Sequence, residues 1–119
     1  MTTNEQILYK IYTRIEWNTE GPLTVTLLDQ RSGFVHLSSS AQIERTIELY
    51  FRQEDHVIVG FNRSALDDKL IFEQVASRES AMPHFYGLLK REWICSVSTS
   101  WSQLEINNAE SLINDEHKV

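Results

Sequence analysis

Alternating apolar and polar positions predict several β-strands along the chain. Residues 8–15 alternate in a composition rich in β-branched and aromatic side chains, which is typical of a strand. Residues 56–61 are apolar almost throughout, which indicates a strand that is buried on both faces and central in its sheet. Further strands or extended segments are predicted at residues 34–38, 69–75, 82–87 and 88–101.

One helix is predicted with a clear start and an apolar face. Ser39 and Gln42 have the spacing of a capping box, and apolar residues then recur at helical spacing. We therefore predict a helix from about Ser40 to Phe51. Residues 29–33 combine Asp, Gln, Ser and Gly and are expected to form an exposed loop. Because strands and helix do not alternate regularly, the pattern favours an α+β domain over a doubly wound sheet.

The length and composition fit one globular domain. The chain has 119 residues, of which 41% are hydrophobic, four are Gly and two are Pro. We predict a single domain over residues 1–119, with a polar C-terminal tail at about residues 107–119. No apolar run approaches the roughly 20 residues that a membrane-spanning helix needs, so no membrane partner is expected.

Charge and cysteine content narrow the partners and the setting. The chain has 11 Lys and Arg against 17 Asp and Glu, for a net charge of -6. Binding to nucleic acid is disfavoured because phosphate neutralisation needs a basic surface, although a local basic patch can hold one small anion. Cys95 is the single cysteine, which predicts no internal disulfide and a reducing, cytoplasmic location. Its apolar neighbours predict a buried, inert thiol.

Two short motifs carry the candidate chemistry. In His36-Leu37-Ser38 and in His84-Phe85-Tyr86, an imidazole precedes a hydroxyl by two residues. On an extended chain, residues two apart point to the same face, so each pair shares one surface. If the two segments are neighbours, they line a pocket that suits a polyhydroxylated, partly aromatic ligand such as a nucleotide.

The same residues allow other interpretations. Each histidine taken alone is at least as compatible with a structural role as with a ligand-binding role. The two histidines with Asp29 or Glu73 offer ordinary metal ligands, but no close His spacing supports such a site, and we expect no metal. A triad of Ser38, His84 and Asp29 is disfavoured because the chain has no Gly-x-Ser-x-Gly elbow.

The order and spacing of these motifs also match a known pattern. The anchors are the run from Gly33 to Ser38 and the run from Pro83 to Gly87. Weaker matches lie at Tyr9-Lys10-Ile11, Trp17, Asp29, Gln42, Thr46, Phe51 and Phe72-Glu73. In these positions the sequence resembles the bacterial domain-of-unknown-function family 952 over roughly residues 8–95, with a family-like core of about residues 8–101.

This resemblance implies a fold and, by analogy, a function. The family looks like a small relative of the ADP-ribosyltransferase fold, with two packed β-sheets and one main helix, whose better-known members bind NAD in a cleft. The implied enzyme is ADP-ribosyltransferase-like, with NAD as its substrate and a small-molecule nucleotide as its partner. It breaks the bond between nicotinamide and ribose, and the protein orients the ligand and stabilises charge.

The analogy assigns a role to each candidate residue. It implies that His36 bonds a ribose hydroxyl or a phosphate and that Ser38 supports the same edge of the ligand. Tyr86 is expected to stack on the nicotinamide or the ribose, while His84 contacts polar atoms nearby. Glu73 is expected to polarise the ribose 2′-hydroxyl.

By the same analogy, Lys10 and Arg31 are expected to meet the pyrophosphate.

Two alternative functions stay open. The first alternative is a noncatalytic module that binds a nucleotide or a sugar phosphate in the same cleft. The second is an interaction domain with no small ligand, which is favoured if Phe34, Phe85 and Trp93 fill the cleft.

Overall fold

The computed structural model describes residues 6–102, which form two three-stranded antiparallel sheets together with two α-helices. The elements in chain order are β1 (Ile7–Thr13), α1 (Leu27–Ser32), β2 (Val35–His36), α2 (Ile43–Tyr50), β3 (His56–Asn62), short 3-10 turns at Arg63–Ala65 and Asp67–Lys69, β4 (Leu70–Glu73), β5 (Met82–Phe85), a 3-10 turn at Arg91–Trp93, and β6 (Ile94–Ser98). This arrangement confirms the α+β class, the two sheets and the single main helix, α2.

The first sheet has the strand order β1-β3-β6. Its central strand, β3, is buried along five consecutive residues, as its continuous apolar sequence predicts. β1 pairs with β3 over its whole length, so that Ile11 lies opposite Ile58. The prediction of a central strand at residues 56–61 is therefore confirmed.

The second sheet has the order β2-β5-β4, with β5 in the middle. The residues after β2 also pair with the first sheet, because the backbone groups of Tyr9 and Ser38 exchange two hydrogen bonds of 2.8 Å. β2 thus runs directly from one sheet to the other. This junction places Lys10 of β1 close to the residues of β2.

Two apolar clusters hold the layers together. One contains residues of both sheets, with Leu8, Val59 and Phe85 among its buried members. The other packs Ile43 of α2 against Tyr9 and Ile58 of the first sheet. Burial of such side chains contributes roughly 1.5–3 kcal/mol each. The first cluster therefore joins the sheets, and the second fixes α2 on the first sheet.

The prediction of an exposed loop at residues 29–33 is wrong in secondary structure and in the burial of Asp29, whereas residues 30–33 are exposed as predicted. Residues Leu27–Ser32 form α1, and Asp29 is buried. Thr26 caps the helix, since its Oγ1 accepts a hydrogen bond of 3.2 Å from the backbone N–H of Asp29. Gly33 ends it with a φ of 82°, the left-handed conformation that glycine adopts most readily.

Two other expectations, the length of the main helix and the burial of Cys95, differ from the structure. The main helix is shorter than predicted, although Gln42 Oε1 does accept a hydrogen bond of 3.0 Å from the Ser39 N–H, as in a capping box. Cys95 is exposed and not buried, because β6 is an edge strand whose other face, with Ile94, packs toward the core. The tail at about residues 107–119 lies outside the described residues. Within residues 6–102, no helix is long and apolar enough to cross a membrane.

Candidate functional site

A cavity of about 490 Å³ lies where the two sheets and α2 meet. Residues of β1, β2, β5, both α-helices and the segment before β5 line it, and most of them are apolar or aromatic. Its volume is within the range of roughly 300–1,000 Å³ that is typical of small-molecule sites. The polar residues of its lining are Lys10, His36, Ser38, Thr46, Arg78 and His84.

The two histidines of the sequence motifs face each other across neighbouring strands. His36 of β2 lies directly opposite His84 of β5, and their ring centroids are 5.5 Å apart. Opposite residues of an antiparallel pair project from the same face of the sheet. The topology therefore brings both imidazoles to one cavity, although 47 residues separate them along the chain.

The carboxylate of Asp29 holds His36 and Lys10 with separate oxygens. Oδ1 lies 2.8 Å from His36 Nδ1 and accepts a bond of 3.2 Å from the His36 backbone N–H, while Oδ2 lies 2.7 Å from Lys10 Nζ. The side chains of Lys10 and Asp29 are only 5% and 3% exposed. Burial opposes ionisation of Asp29, but the hydrogen bonds from His36 and the charge of Lys10 outweigh it and lower its pKa. Asp29 therefore stays ionised and compensates the charge of Lys10.

Glu73 of β4 holds the second histidine in the same way. Its Oε1 lies 2.8 Å from His84 Nδ1 and accepts a hydrogen bond of 2.6 Å from the Tyr86 hydroxyl. The bonds from Tyr86 and from His84 lower the pKa of Glu73, and the bond to Glu73 raises the pKa of Tyr86. Glu73 and Tyr86 thus act on the cavity through His84, because neither belongs to the lining.

The two carboxylates fix the tautomer of both imidazoles. An ionised carboxylate only accepts hydrogen bonds, so the Nδ1 that faces it carries the proton. In each neutral ring, the remaining Nε2 is then an acceptor, and in each protonated ring it is a donor. His36 and His84 therefore offer two oriented polar atoms that can bond hydroxyl groups or exchange a proton with them.

Contacts with an aromatic side chain further restrict the orientation of the two histidine rings. Phe34 stacks on His84 with a centroid distance of 4.0 Å, and it lies 4.6 Å from His36. Phe34 lines the cavity as a wall, whereas Phe85 and Trp93 belong to the apolar cluster between the sheets. The interaction-domain alternative expected all three aromatic rings to fill the cleft, and the cavity's volume and lining do not fit that expectation.

Arg78 lines the cavity from the segment before β5 and was not among the residues predicted from the sequence. Its Nη2 donates to Thr46 Oγ1 at 3.0 Å and to the Gln42 carbonyl oxygen at 3.4 Å. Thr46 Oγ1 also lies 2.9 Å from Ser38 Oγ, so Ser38, Thr46 and Arg78 form a chain of hydrogen bonds. The only local signal was an arginine in a polar connection. Its contacts depend on Thr46 of α2 and on Gln42, the residue before α2, both more than 30 positions earlier.

The other sequence candidates are placed differently. Arg31 is exposed on α1 and does not belong to the cavity lining within the described residues. The Ser38, His84 and Asp29 triad does not assemble, since Asp29 bonds His36 and Ser38 bonds Thr46. Over residues 6–102, no group of three or more His, Cys, Asp or Glu side chains is placed to hold a metal ion.

Comparisons with known proteins support one family. No curated protein matches the chain. The chain is similar to the protein CC0527 from Caulobacter crescentus, a structural genomics target. Its crystal structure matches with a TM-score of 0.69 at 26% identity, over 77% of this chain and 83% of that one. Its solution NMR structure matches with a TM-score of 0.66 at 26% identity, over 78% and 83%. The family model described as a protein of unknown function, DUF952, matches residues 11–97, and the chain therefore belongs to the DUF952 family.

Proposed function

We propose that the protein binds NAD or ADP-ribose in this cavity and carries out an ADP-ribosyltransferase-like transfer of the ribosyl group. The observation that carries the proposal is the pair of facing imidazoles, each oriented by its own carboxylate and both lining one cavity. Such a pair suits a ligand that presents several hydroxyl groups at one end. The apolar and aromatic part of the lining suits a flat base at the other.

The proposal assigns the ribose to the histidines. Nε2 of His36 and Nε2 of His84 bond ribose hydroxyls, and Ser38, which lies next along the cavity wall, supports the same edge. Glu73 and Tyr86 are positioning residues, because both act through the His84 ring. Phe34 provides the aromatic face against which the ribose or the nicotinamide packs.

The chemical step is a substitution at the ribose C1′ atom. The bond between C1′ and the nicotinamide nitrogen breaks, and its electron pair returns to the nitrogen, so that neutral nicotinamide leaves. An acceptor oxygen, from water in the simplest case, forms the new bond to C1′ and loses its proton to a histidine Nε2 or to solvent. The protein contributes orientation and fixed dipoles that stabilise the positive charge on the ribosyl group.

Calorimetric titration with NAD and with ADP-ribose tests the binding. We expect saturable binding to the unmodified protein and a loss of about tenfold or more in affinity in His36→Asn and in His84→Asn, since each removes an oriented polar contact. His56→Asn is the matched control, because His56 lies at the start of β3 with Nδ1 on the Glu54 carbonyl oxygen, outside the cavity lining. Absence of heat at millimolar NAD and ADP-ribose would overturn the proposal.

Nicotinamide release, measured by liquid chromatography, tests the transfer. We expect slow release by the unmodified protein with water as acceptor and unchanged release by His56→Asn. In His36→Asn and in His84→Asn, release falls to the rate without protein. Binding of NAD without any release would contradict the transfer and leave the binding intact.

One observation favours a noncatalytic nucleotide or sugar-phosphate module as the second candidate. Among the described residues that line the cavity, none is Asp or Glu, so no carboxylate faces the ligand to stabilise a ribosyl cation directly. The carboxylate that the resemblance expected to polarise the ribose 2′-hydroxyl is Glu73, whose Oε1 instead bonds His84 and Tyr86. If Glu73→Gln binds ADP-ribose with unchanged affinity and neither form releases nicotinamide, the noncatalytic function is the correct one.

A further inference from the structure

The charges around the cavity differ in how far they are compensated. Lys10 lies 2.7 Å from the carboxylate of Asp29, so its positive charge is already paired. His36 and His84 each face a carboxylate through Nδ1. Arg78 also lines the cavity, but within residues 6–102 it forms no ion pair with an Asp or Glu. In a chain of net charge -6, Arg78 is therefore the cation of the cavity lining whose charge no carboxylate of residues 6–102 compensates.

The hydrogen bonds of Arg78 hold it without neutralising it. Both protein acceptors, Thr46 Oγ1 and the Gln42 carbonyl oxygen, are uncharged, and both bonds leave from Nη2. A guanidinium carries five N–H donors in a planar fork, and this geometry matches the oxygens of a phosphate or carboxylate. The Nε and Nη1 donors of Arg78 have no acceptor among the described residues, so they can serve a ligand.

The segment that carries Arg78 is tied to α2 at a second point. Gln42 Nε2 donates to Ser80 Oγ at 2.9 Å and to the Ala81 carbonyl oxygen at 2.8 Å. The backbone N–H of Arg78 also closes a turn onto the Val75 carbonyl oxygen at 2.9 Å. These contacts fix the segment before a ligand arrives, which reduces the entropy that binding would cost.

We infer that Arg78 forms an anion subsite of the cavity and that it recognises a phosphate or pyrophosphate group of the ligand. The inference deepens the proposed function and rests on it for the identity of the nucleotide. It reassigns the task that the resemblance gave to Lys10 and Arg31, of which the first is paired with Asp29 and the second is exposed on α1. The subsite makes the natural ligand a phosphorylated compound, and a bare nucleoside would lack its main anchor.

The test compares three probes: ADP-ribose, inorganic pyrophosphate and adenosine, which carries no phosphate. We expect Arg78→Gln to weaken ADP-ribose and pyrophosphate by about 10- to 100-fold, the usual range for hydrogen bonds to charged groups, and to leave adenosine unchanged. Arg78→Lys keeps the charge without the planar fork and should recover part of the loss. Arg45→Gln is the control, since Arg45 is exposed on α2, 3.4 Å from Glu48. An amide NMR spectrum confirms that each variant is folded.

The outcomes separate this inference from the proposed function. If ADP-ribose does not bind but pyrophosphate binds through Arg78, the nucleotide function fails and the anion subsite stands. If Arg78→Gln binds ADP-ribose and pyrophosphate as the unmodified protein does, the subsite is wrong while the function stands. Equal weakening of adenosine and ADP-ribose overturns the subsite too, because it shows a structural role. If neither ADP-ribose nor pyrophosphate binds the unmodified protein, both the anion subsite and the proposed function are wrong.

Discussion

Asp29 is the residue on which the geometry of the site depends most directly. Its two oxygens contact different residues: Oδ2 compensates the charge of Lys10, and Oδ1 fixes the tautomer of His36. The carboxylate is buried, and the low dielectric around it makes both contacts stronger than they would be in water. The same burial means that Lys10 cannot turn to solvent for a replacement partner at little cost, whereas the His36 side chain is partly exposed.

Replacing Asp29 by asparagine should therefore destabilise the whole domain. Asp29→Asn leaves the buried Lys10 without its counter-charge, and breaking such a pair from one side costs about 3–5 kcal/mol. The free energy of unfolding in urea measures the loss. Asp67→Asn is the control, because the Asp67 side chain is exposed and its Oδ1 lies 3.4 Å from Arg63 Nε. Such exposed ion pairs contribute about 0–1 kcal/mol. A loss in Asp29→Asn as small as in the control would contradict the argument.

The lowered pKa of Asp29 predicts a dependence of stability on pH. A carboxyl whose pKa is lower in the folded state stabilises the fold above its unfolded pKa of about 4, and this contribution disappears as the pH falls through the folded pKa. We expect stability to fall from pH 5 downward. Glu73, whose pKa is lowered by Tyr86 and His84, loses its contribution in the same range. Unfolding curves of Asp29→Asn between pH 6 and 3 should show a weaker pH dependence, and an unchanged one would exclude Asp29 as the source.

At the scale of elements, the sequence could predict what depends on local pattern. β3 is central because every residue in its middle is apolar, and the two-residue alternation of an extended chain places His36 and Ser38 on one cavity wall. By contrast, α1 has only six residues, too few for a helical period to show against its polar composition. Its local signals were the caps, Thr26 before it and Gly33 after it.

The contacts that depend on distant parts of the chain could not be predicted in the same way. The pairing of Asp29 with Lys10 depends on the Tyr9 and Ser38 bridge that joins β1 to the end of β2. The placement of Arg78 depends on its bond to Thr46, 32 residues earlier. Neither contact has a local pattern, so the analogy pointed to Lys10 and Arg31 as the cations that meet the pyrophosphate.

The cap of α1 provides a test at this scale. Thr26→Ala removes the hydroxyl that accepts from the Asp29 N–H, and loss of such a cap costs about 0.5–2 kcal/mol. Because Asp29 lies in the first turn, the loosened helix should also raise amide exchange at His36, whose N–H bonds Asp29. Thr24→Ala is the matched control, since the Thr24 hydroxyl bonds the exposed Asn18 side chain. Equal exchange at His36 in both variants would show that the cap does not position the carboxylate.

At the scale of the whole molecule, the cavity carries an uncompensated positive charge in an acidic protein. Arg78 lines it without an ion pair to an Asp or Glu of residues 6–102, whereas Asp29 compensates the charge of Lys10. The surrounding negative charge repels anions from the rest of the surface, so an anionic ligand finds its favourable site in the cavity. The residues that would meet the ligand come from β1 of the first sheet, from β2 and β5 of the second, from α2, and from the segment before β5 that carries Arg78.

A ligand that contacts both sheets should stabilise the domain as one unit. At ADP-ribose concentrations of 100 times its dissociation constant, linkage predicts about 2.7 kcal/mol of added stability, seen as a higher urea midpoint with an unchanged slope. Slower amide exchange should appear in β1 and β3 as well as in β2 and β5, because opening either sheet would release the ligand. His36→Asn at the same ADP-ribose concentration is the control; because it binds about tenfold or more weakly, its added stability should be no more than about 1.4 kcal/mol, with correspondingly weaker protection. Protection confined to the second sheet would mean that the ligand binds at β2 and β5 without reaching Lys10 or α2, and that the cavity does not act as a single site.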